Sequence, residues 1–186
     1  MRTIERWETV VYSKILKELF PRIQKDLEKI GELSFDVSTD VVLSCYLHGK
    51  VGGGKTIYAA QLYLAEKKKA YITGIDVNCL FYSVPVFFQD LKNVYQNNSS
   101  EKEFLNKFYE TDLLIFDDLG VEKSSEWAWN ILYLVLNYRY ENLKKTIITS
   151  NLNLKELSEK LGDDRIPSRI SRMCKIIEFK DSFTND

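Results

Sequence analysis

Four of the chain's eight glycines fall between positions 49 and 54, in the run Gly49-Lys50-Val51-Gly52-Gly53-Gly54-Lys55-Thr56. No other feature constrains the fold as tightly. Glycine adopts backbone conformations closed to other residues and lets a ligand approach the main chain. The run is entered from the apolar stretch Val41 to Leu47 and leaves into a helical pattern from Thr56 to about Lys68. Strand, glycine loop and helix in that order make a nest of N–H groups at a helix N-terminus, where the macrodipole attracts negative charge. A phosphate chain is the anion such a nest takes. In this reading Lys55 reaches the β- and γ-phosphates of ATP, and the Thr56 hydroxyl is a ligand of Mg²⁺.

Downstream, strand patterns alternate with helical ones. Cys79 to Val84 reads as a strand, and Pro85 opens a helix to about Gln96. The stretch from Lys69 to Asn78 has no assignable pattern. Ser100 and Glu103 form a capping box for a helix to Tyr109. Leu113 to Asp118 is an apolar strand, Ser125 to Lys144 is helical, and Thr146 to Asn151 is a strand with a polar end. A helix from Leu154 to Leu161, a basic helix from about Ile166 to Met173 and a strand from Lys175 to Phe179 complete the series. Such alternation demands parallel pairing with right-handed crossovers, hence a helix-covered sheet with its sites at the carboxyl ends of the strands. The expected class is a three-layer α/β P-loop NTPase with a parallel five-stranded sheet. The expected organisation is a helical segment over 1–40, a core over 41–180 and a tail over 181–186. In the first segment Ile4, Trp7, Val11, Ile15 and Leu19 share one helical face, and a second helix is expected from Arg22 to Ile30.

Composition narrows the function classes. With 45% hydrophobic residues in 186, the chain holds enough apolar side chains for one sizeable core. A net charge of -1 gives no general basic field, so any nucleic-acid contact must be local or built by assembly. Cys45, Cys79 and Cys174 form no C-x-x-C pair, which points away from disulfides and zinc and toward a reducing cytoplasm. The charged start lacks the apolar core of a secretory signal. The run Ile131 to Leu136 falls far short of the ~20 residues that span a bilayer, so no membrane association is expected.

Two more clusters sit at expected strand ends, and a third lies on the short basic helix near the end of the chain. Asp117 and Asp118 close an apolar strand, where paired carboxylates are costly unless a cation or water uses them. Asp117 is placed to face Mg²⁺ and Asp118 to orient or deprotonate an attacking water; the alternative is a turn leading into Gly120. Asn151 either bonds a γ-phosphate or lytic water through its amide or caps the next helix. Arg165, Arg169 and Arg172 either form surface ion pairs or supply an arginine finger across a subunit boundary. His48, Trp127, Trp129, Tyr133 and Tyr138 are read as packing residues.

In chain order, the glycine loop, the strand Leu113-Leu114-Ile115-Phe116-Asp117-Asp118-Leu119-Gly120, the strand end Thr149-Ser150-Asn151 and the segment Asp164-Arg165-Ile166-Pro167-Ser168-Arg169-Ile170 resemble AAA+ ATPases. Among these the sequence looks closest to the DnaC-type helicase loaders and their IstB-type transposition relatives, over roughly Val41 to Phe179. The resemblance implies a RecA-like core with Asn151 as sensor 1 and Arg169 as the arginine finger on a neighbour's ATP, Arg165 being a second candidate. It also implies a homo-oligomeric ring or spiral that grips single-stranded DNA through the helical insert after the second strand. Here that insert is Pro85 to Tyr109, with Lys92, Lys102 and Lys107 as phosphate contacts.

The function so implied is a slow, partner- or DNA-regulated ATPase that loads a replicative hexameric helicase. The alternatives are an IstB-like transposition regulator and a small P-loop kinase. The pattern departs from the family in three ways. Asp118 stands where most AAA+ ATPases carry Glu. The chain ends soon after Phe179, so no C-terminal lid is expected. The roughly 40 N-terminal residues lack zinc ligands, and their helix either docks on a partner or packs on its own core.

Overall fold

The computed structural model describes residues 13–22, 24–25 and 43–180. The expected helix over Arg22 to Ile30, the first two turns of the helix before it and the tail lie mostly or wholly outside the described residues. The described elements run α1 (Ser13–Leu19), β1 (Cys45–Gly49), α2 (Lys55–Thr73), β2 (Cys79–Ser83), α3 (Val84–Gln96), α4 (Glu101–Glu110), β3 (Leu113–Leu119), α5 (Glu126–Glu141), β4 (Lys145–Ser150), α6 (Leu154–Leu161), α7 (Arg165–Met173) and β5 (Lys175–Phe179).

All strands pair in parallel, in the order β2-β3-β4-β1-β5. The two-residue alternation of each strand divides the core. Cys45, Leu47, Leu113, Ile115 and Ile147 face the layer that contains α2. Tyr46, Leu114, Phe116 and Ile148 face the layer of α3 to α7. Strands buried on both faces must be apolar almost throughout, which is why these read as unbroken runs. On the α3 to α7 side, Phe87 meets Phe88, Phe104, Phe108 and Phe116 with ring centres 5.0 to 5.6 Å apart. On the α2 side Phe20, just after α1, is buried edge-on against Tyr63 and Phe81 at 5.7 and 5.0 Å. The described part of the N-terminal helix therefore packs on its own core through Phe20 and Ile15, while Leu19 stays exposed.

Two local expectations change. α2 runs on to Thr73 and ends where Gly74 takes a left-handed conformation and donates to the Ala70 carbonyl at 3.0 Å. Lys67, Lys68 and Lys69, which blur the apolar pattern, are helical; the Lys67 ammonium donates to the Val77 carbonyl at 3.1 Å. At α4 the Ser100 hydroxyl accepts from the Glu103 N–H at 3.2 Å, as expected of a cap. The reciprocal box is found at α6, where Asn153 and Glu156 satisfy each other's backbone N–H groups.

Candidate nucleotide-binding site

The loop from Gly49 to Thr56 leaves the carboxyl end of β1 and opens α2. Gly49 has φ 133, and a Cβ there would lie 2.1 Å from the Phe179 carbonyl oxygen of β5. The close approach of β5, not only phosphate, therefore demands glycine at this position. Gly54, the N-cap of α2, has φ 83, which only glycine adopts without strain. Lys55 is buried at 6% exposure, and its ammonium donates to the carbonyls of Gly49 at 2.9 Å and Lys50 at 2.7 Å. Burial lowers its pKa, against the attraction of Asp118 and Asp117. Val51, at the tip, is 78% exposed.

β3 brings the carboxylates to this loop. Asp117 lies on the α2 face with Leu113 and Ile115, and its Oδ1 accepts from the Thr56 hydroxyl at 2.9 Å and the Thr149 hydroxyl at 2.6 Å. It is 7% exposed. Burial pushes its pKa up, and the hydrogen bond from Thr149 is the largest opposing effect. The β3–β4 register shifts between Phe116 and Leu119, and Asp118 adopts φ 62. This bulge lets the Asp118 N–H donate to the same Thr149 hydroxyl at 2.9 Å. Left-handed backbone at a residue other than glycine is costly and occurs where the surroundings over-determine it. The acidic pair thus lies just before the strand's last residue, Leu119, with Asp118 in the left-handed conformation and both residues tied together by Thr149.

Asn151 is half-buried directly after β4, whose Ser150 pairs with His48 in register. It does not cap α6. Asn153 does, accepting from the N–H groups of Lys155 and Glu156 at 3.0 Å each. Gly49 to Thr56, Asp117, Asp118 and Asn151 all lie at the carboxyl edge of the sheet, with Thr149 as a further member. Sequence reasoning gave Thr149 no role; its signal was a hydroxyl directly after the apolar pair Ile147-Ile148 at the end of the strand.

The arginines are placed elsewhere. Arg165 donates to Asp163 and to Asn130 of α5, and Arg169 donates to Asn137 of α5. Lys92 and Lys102 are exposed on α3 and α4. The Lys107 ammonium donates to the Tyr82 hydroxyl at 3.2 Å and sits 4.4 to 4.9 Å from the ring centres of Phe104, Tyr82 and Phe108. Burial lowers its pKa, opposed by Asp90, which accepts from the Tyr82 hydroxyl.

A parallel sheet of this order, with a glycine loop leaving β1 and an acidic pair ending β3, defines an ATP-binding P-loop protein of the AAA+ class. The chain belongs to the family of IstB-like ATP binding proteins, whose model matches residues 19–183. It is 30% identical over 158 residues to the Bacillus subtilis protein YqaM, covering 81% of this chain and 44% of that one. It is 32% identical over 113 residues to the replicative helicase loader DnaI of Bacillus subtilis, covering 60% and 34%. With the replicative helicase loader DnaC of Escherichia coli K12 it shares 28% over 127 residues, covering 66% and 48%. The chain spans less than half the length of these curated relatives. A crystal structure of the DnaC helicase loader superposes with a TM-score of 0.64 at 25% identity, covering 86% of this chain and 89% of that one. A crystal structure of DnaI gives 0.60 at 28%, covering 85% and 83%. Among the described residues no helix is long and apolar enough to cross a membrane.

Proposed function

We propose that this chain is an ATP-switched helicase loader: it oligomerises with ATP as a ring or spiral, binds single-stranded DNA and delivers a replicative hexameric helicase, with slow hydrolysis triggering release. The observation that carries the reading is that its two arginine candidates bond to α5 and not to the chain's own glycine loop. A site holding Lys55, Asp117 and Asp118 then has no arginine for the transferring phosphoryl group, and a neighbouring subunit's Arg169 supplies it.

Each residue has a task. The loop N–H groups and Lys55 bind the β- and γ-phosphates, and Asn151 contacts the γ-phosphate or the water. Asp118 orients the water, its shorter side chain fitting slow turnover. Thr56 and Asp117, joined at 2.9 Å, would hold Mg²⁺. Among the described residues no cluster of three or more His, Cys, Asp or Glu is able to hold a metal, which suits an ion that takes its other ligands from water and phosphate. Bound there, the ion would neutralise developing phosphate charge.

Within the insert, Lys92 and Lys102 are the proposed DNA phosphate contacts, with Lys107 engaged at its own aromatic cluster. The family match also supports a second reading, an IstB-like regulator that acts on double-stranded DNA and recruits a transposase. The test is ATP-dependent affinity for single- and double-stranded oligonucleotides of equal length, together with co-sedimentation with a hexameric replicative helicase. Tighter single-strand binding and helicase association support the loader. Preference for duplex favours the regulator, and absence of DNA binding and helicase association overturns both.

A further inference from the structure

The two arginines of α7 are held in chemically different ways. Arg165 is exposed, and its guanidinium is forked onto Asp163, with Nε 2.7 Å and Nη2 2.6 Å from Oδ2. Its charge is neutralised within its own subunit. Arg169 is half-buried, and its Nε donates at 2.6 Å to Oδ1 of Asn137, a neutral acceptor. Its guanidinium carbon stands 5.2 Å from the Tyr140 ring centre and 6.0 Å from that of Tyr133. Among the described residues no carboxylate lies within ion-pair distance of Arg169.

Tyr133, Asn137 and Tyr140 are spaced four and three residues apart and therefore share one face of α5. The Asn137 amide is oriented from its other side, since its Nδ2 donates to Glu141 Oε1 at 2.9 Å. Turning the amide over would set N–H against guanidinium N–H and oxygen against carboxylate, two repulsions at once. Glu141 thus fixes Asn137, and Asn137 fixes Arg169. Aromatic faces and a neutral carbonyl locate a guanidinium without cancelling its charge.

We propose that Asn137 is a positioning residue which, with Tyr133 and Tyr140, presents Arg169 as an unneutralised cation to the triphosphate bound by a neighbouring subunit. The same comparison assigns the finger to Arg169 over Arg165. The inference rests on the composite-site reading above and adds the part of the subunit that aims its finger.

The test uses the full chain with ATP, Mg²⁺ and single-stranded DNA. Asn137→Asp sets a carboxylate against Arg169 and is expected to lower kcat at least about tenfold while the KM for ATP stays within about twofold. Glu141→Gln keeps an acceptor for Asn137 and is expected to behave as wild type. Glu141→Lys, which forces the amide to turn, is expected to repeat the loss. An equal mixture of Asn137→Asp and Asp118→Asn chains should exceed the sum of their separate activities, because each supplies the half-site the other lacks. If Asn137→Asp keeps wild-type kcat, the inference fails while the composite site stands; loss without recovery in the mixture counts against the shared site and the inference alike. A wild-type chain that neither hydrolyses ATP nor changes assembly with it overturns the composite site and the inference together.

Discussion

The two ends of the sheet both bury charge, and they treat it in opposite ways. At the amino-terminal end Arg139, in the last turn of α5, has no exposed surface. Its Nε donates to the Thr146 hydroxyl at 2.9 Å, one Nη to the carbonyls of Phe108 and Thr111 at 2.7 and 2.9 Å, and the other to the Lys145 carbonyl at 2.5 Å. Phe108 and Thr111 lie at the carboxyl end of α4, where the helix dipole is negative. Burial lowers the guanidinium pKa only to about 10, so it stays charged at neutral pH. At the carboxyl end Lys55 and Asp117 are also buried, but burial moves each toward its neutral form. There Gly49, Gly52, Gly54, Asp118 and Gly120 all have positive φ. One end is completed by the protein's own carbonyls and ties α5 to the end of α4 and to the start of β4. The other holds charge and backbone strain that a phosphate chain and a cation are suited to relieve.

The largest effect is therefore expected far from the site. Arg139→Met removes the guanidinium donors from three carbonyls and a hydroxyl at a buried position and should lower stability by on the order of 4 kcal/mol, read as a fall in urea midpoint. Molecules that remain folded should bind nucleotide as before. Lys55→Ala should do the reverse. Nucleotide affinity falls roughly 100-fold, about 2.7 kcal/mol, while stability changes by less than about 1 kcal/mol, because the lost hydrogen bonds are offset by the charge no longer buried. A stability loss as large as that of Arg139→Met would break the contrast.

Asp117→Asn sharpens it further. The folded-state pKa of Asp117 is raised, so the folded protein holds this proton more tightly than the unfolded chain does. Ionisation then costs stability: the cost appears as pH rises past the unfolded carboxylate value and is complete above the folded one. At pH 7 the variant escapes that cost and keeps an oxygen for Thr56 and Thr149. It should be more stable than wild type by about 1 kcal/mol, a common size for relief at a functional site, and inactive in hydrolysis. The gain should shrink as pH falls through the carboxylate range. A gain unchanged down to pH 3 would place the strain somewhere other than this carboxyl.

What was legible in the sequence divides along the same line. Apolar strand runs, the glycine loop and the acidic pair are local patterns, so the parallel sheet and its loaded edge were readable, although the bulge at Asp118 was not. Arg139 was not. In Leu134-Val135-Leu136-Asn137-Tyr138-Arg139-Tyr140 a lone arginine looks like a solvated residue, and its acceptors come from Phe108, Thr111 and Lys145, which only the fold brings near. Asn151 was the one cap candidate read for the next helix; the turn geometry after β4 gives that role to Asn153. Phe20 is one position beyond the apolar stripe read for the first helix, and its burial depends on Tyr63 and Phe81 of distant elements. Long-range hydrogen bonds and docking contacts leave no period in a sequence.

Thr149 gives the smallest difference, between two substitutions, and a separable one. Its hydroxyl donates to Asp117 and accepts from the Asp118 N–H, so one oxygen sets both the ionisation of the first carboxylate and the bulge that turns the second. Thr149→Val keeps the shape and removes the oxygen; Thr149→Ser keeps the oxygen and removes a buried methyl. The first loses two hydrogen bonds and should cost about 2 kcal/mol; the second loses one buried methyl and should cost about 1 kcal/mol, so their urea midpoints should differ only modestly. Their pH behaviour should differ in kind. The Thr149 bond is the largest effect holding the Asp117 pKa down against burial, so its loss raises that pKa further. If Asp117 must be ionised to hold Mg²⁺, the acid limb of hydrolysis moves to higher pH in Thr149→Val and stays in place in Thr149→Ser. A shared acid limb would mean that Thr149 only shapes the bulge, and that burial and the other neighbours set the charge of Asp117.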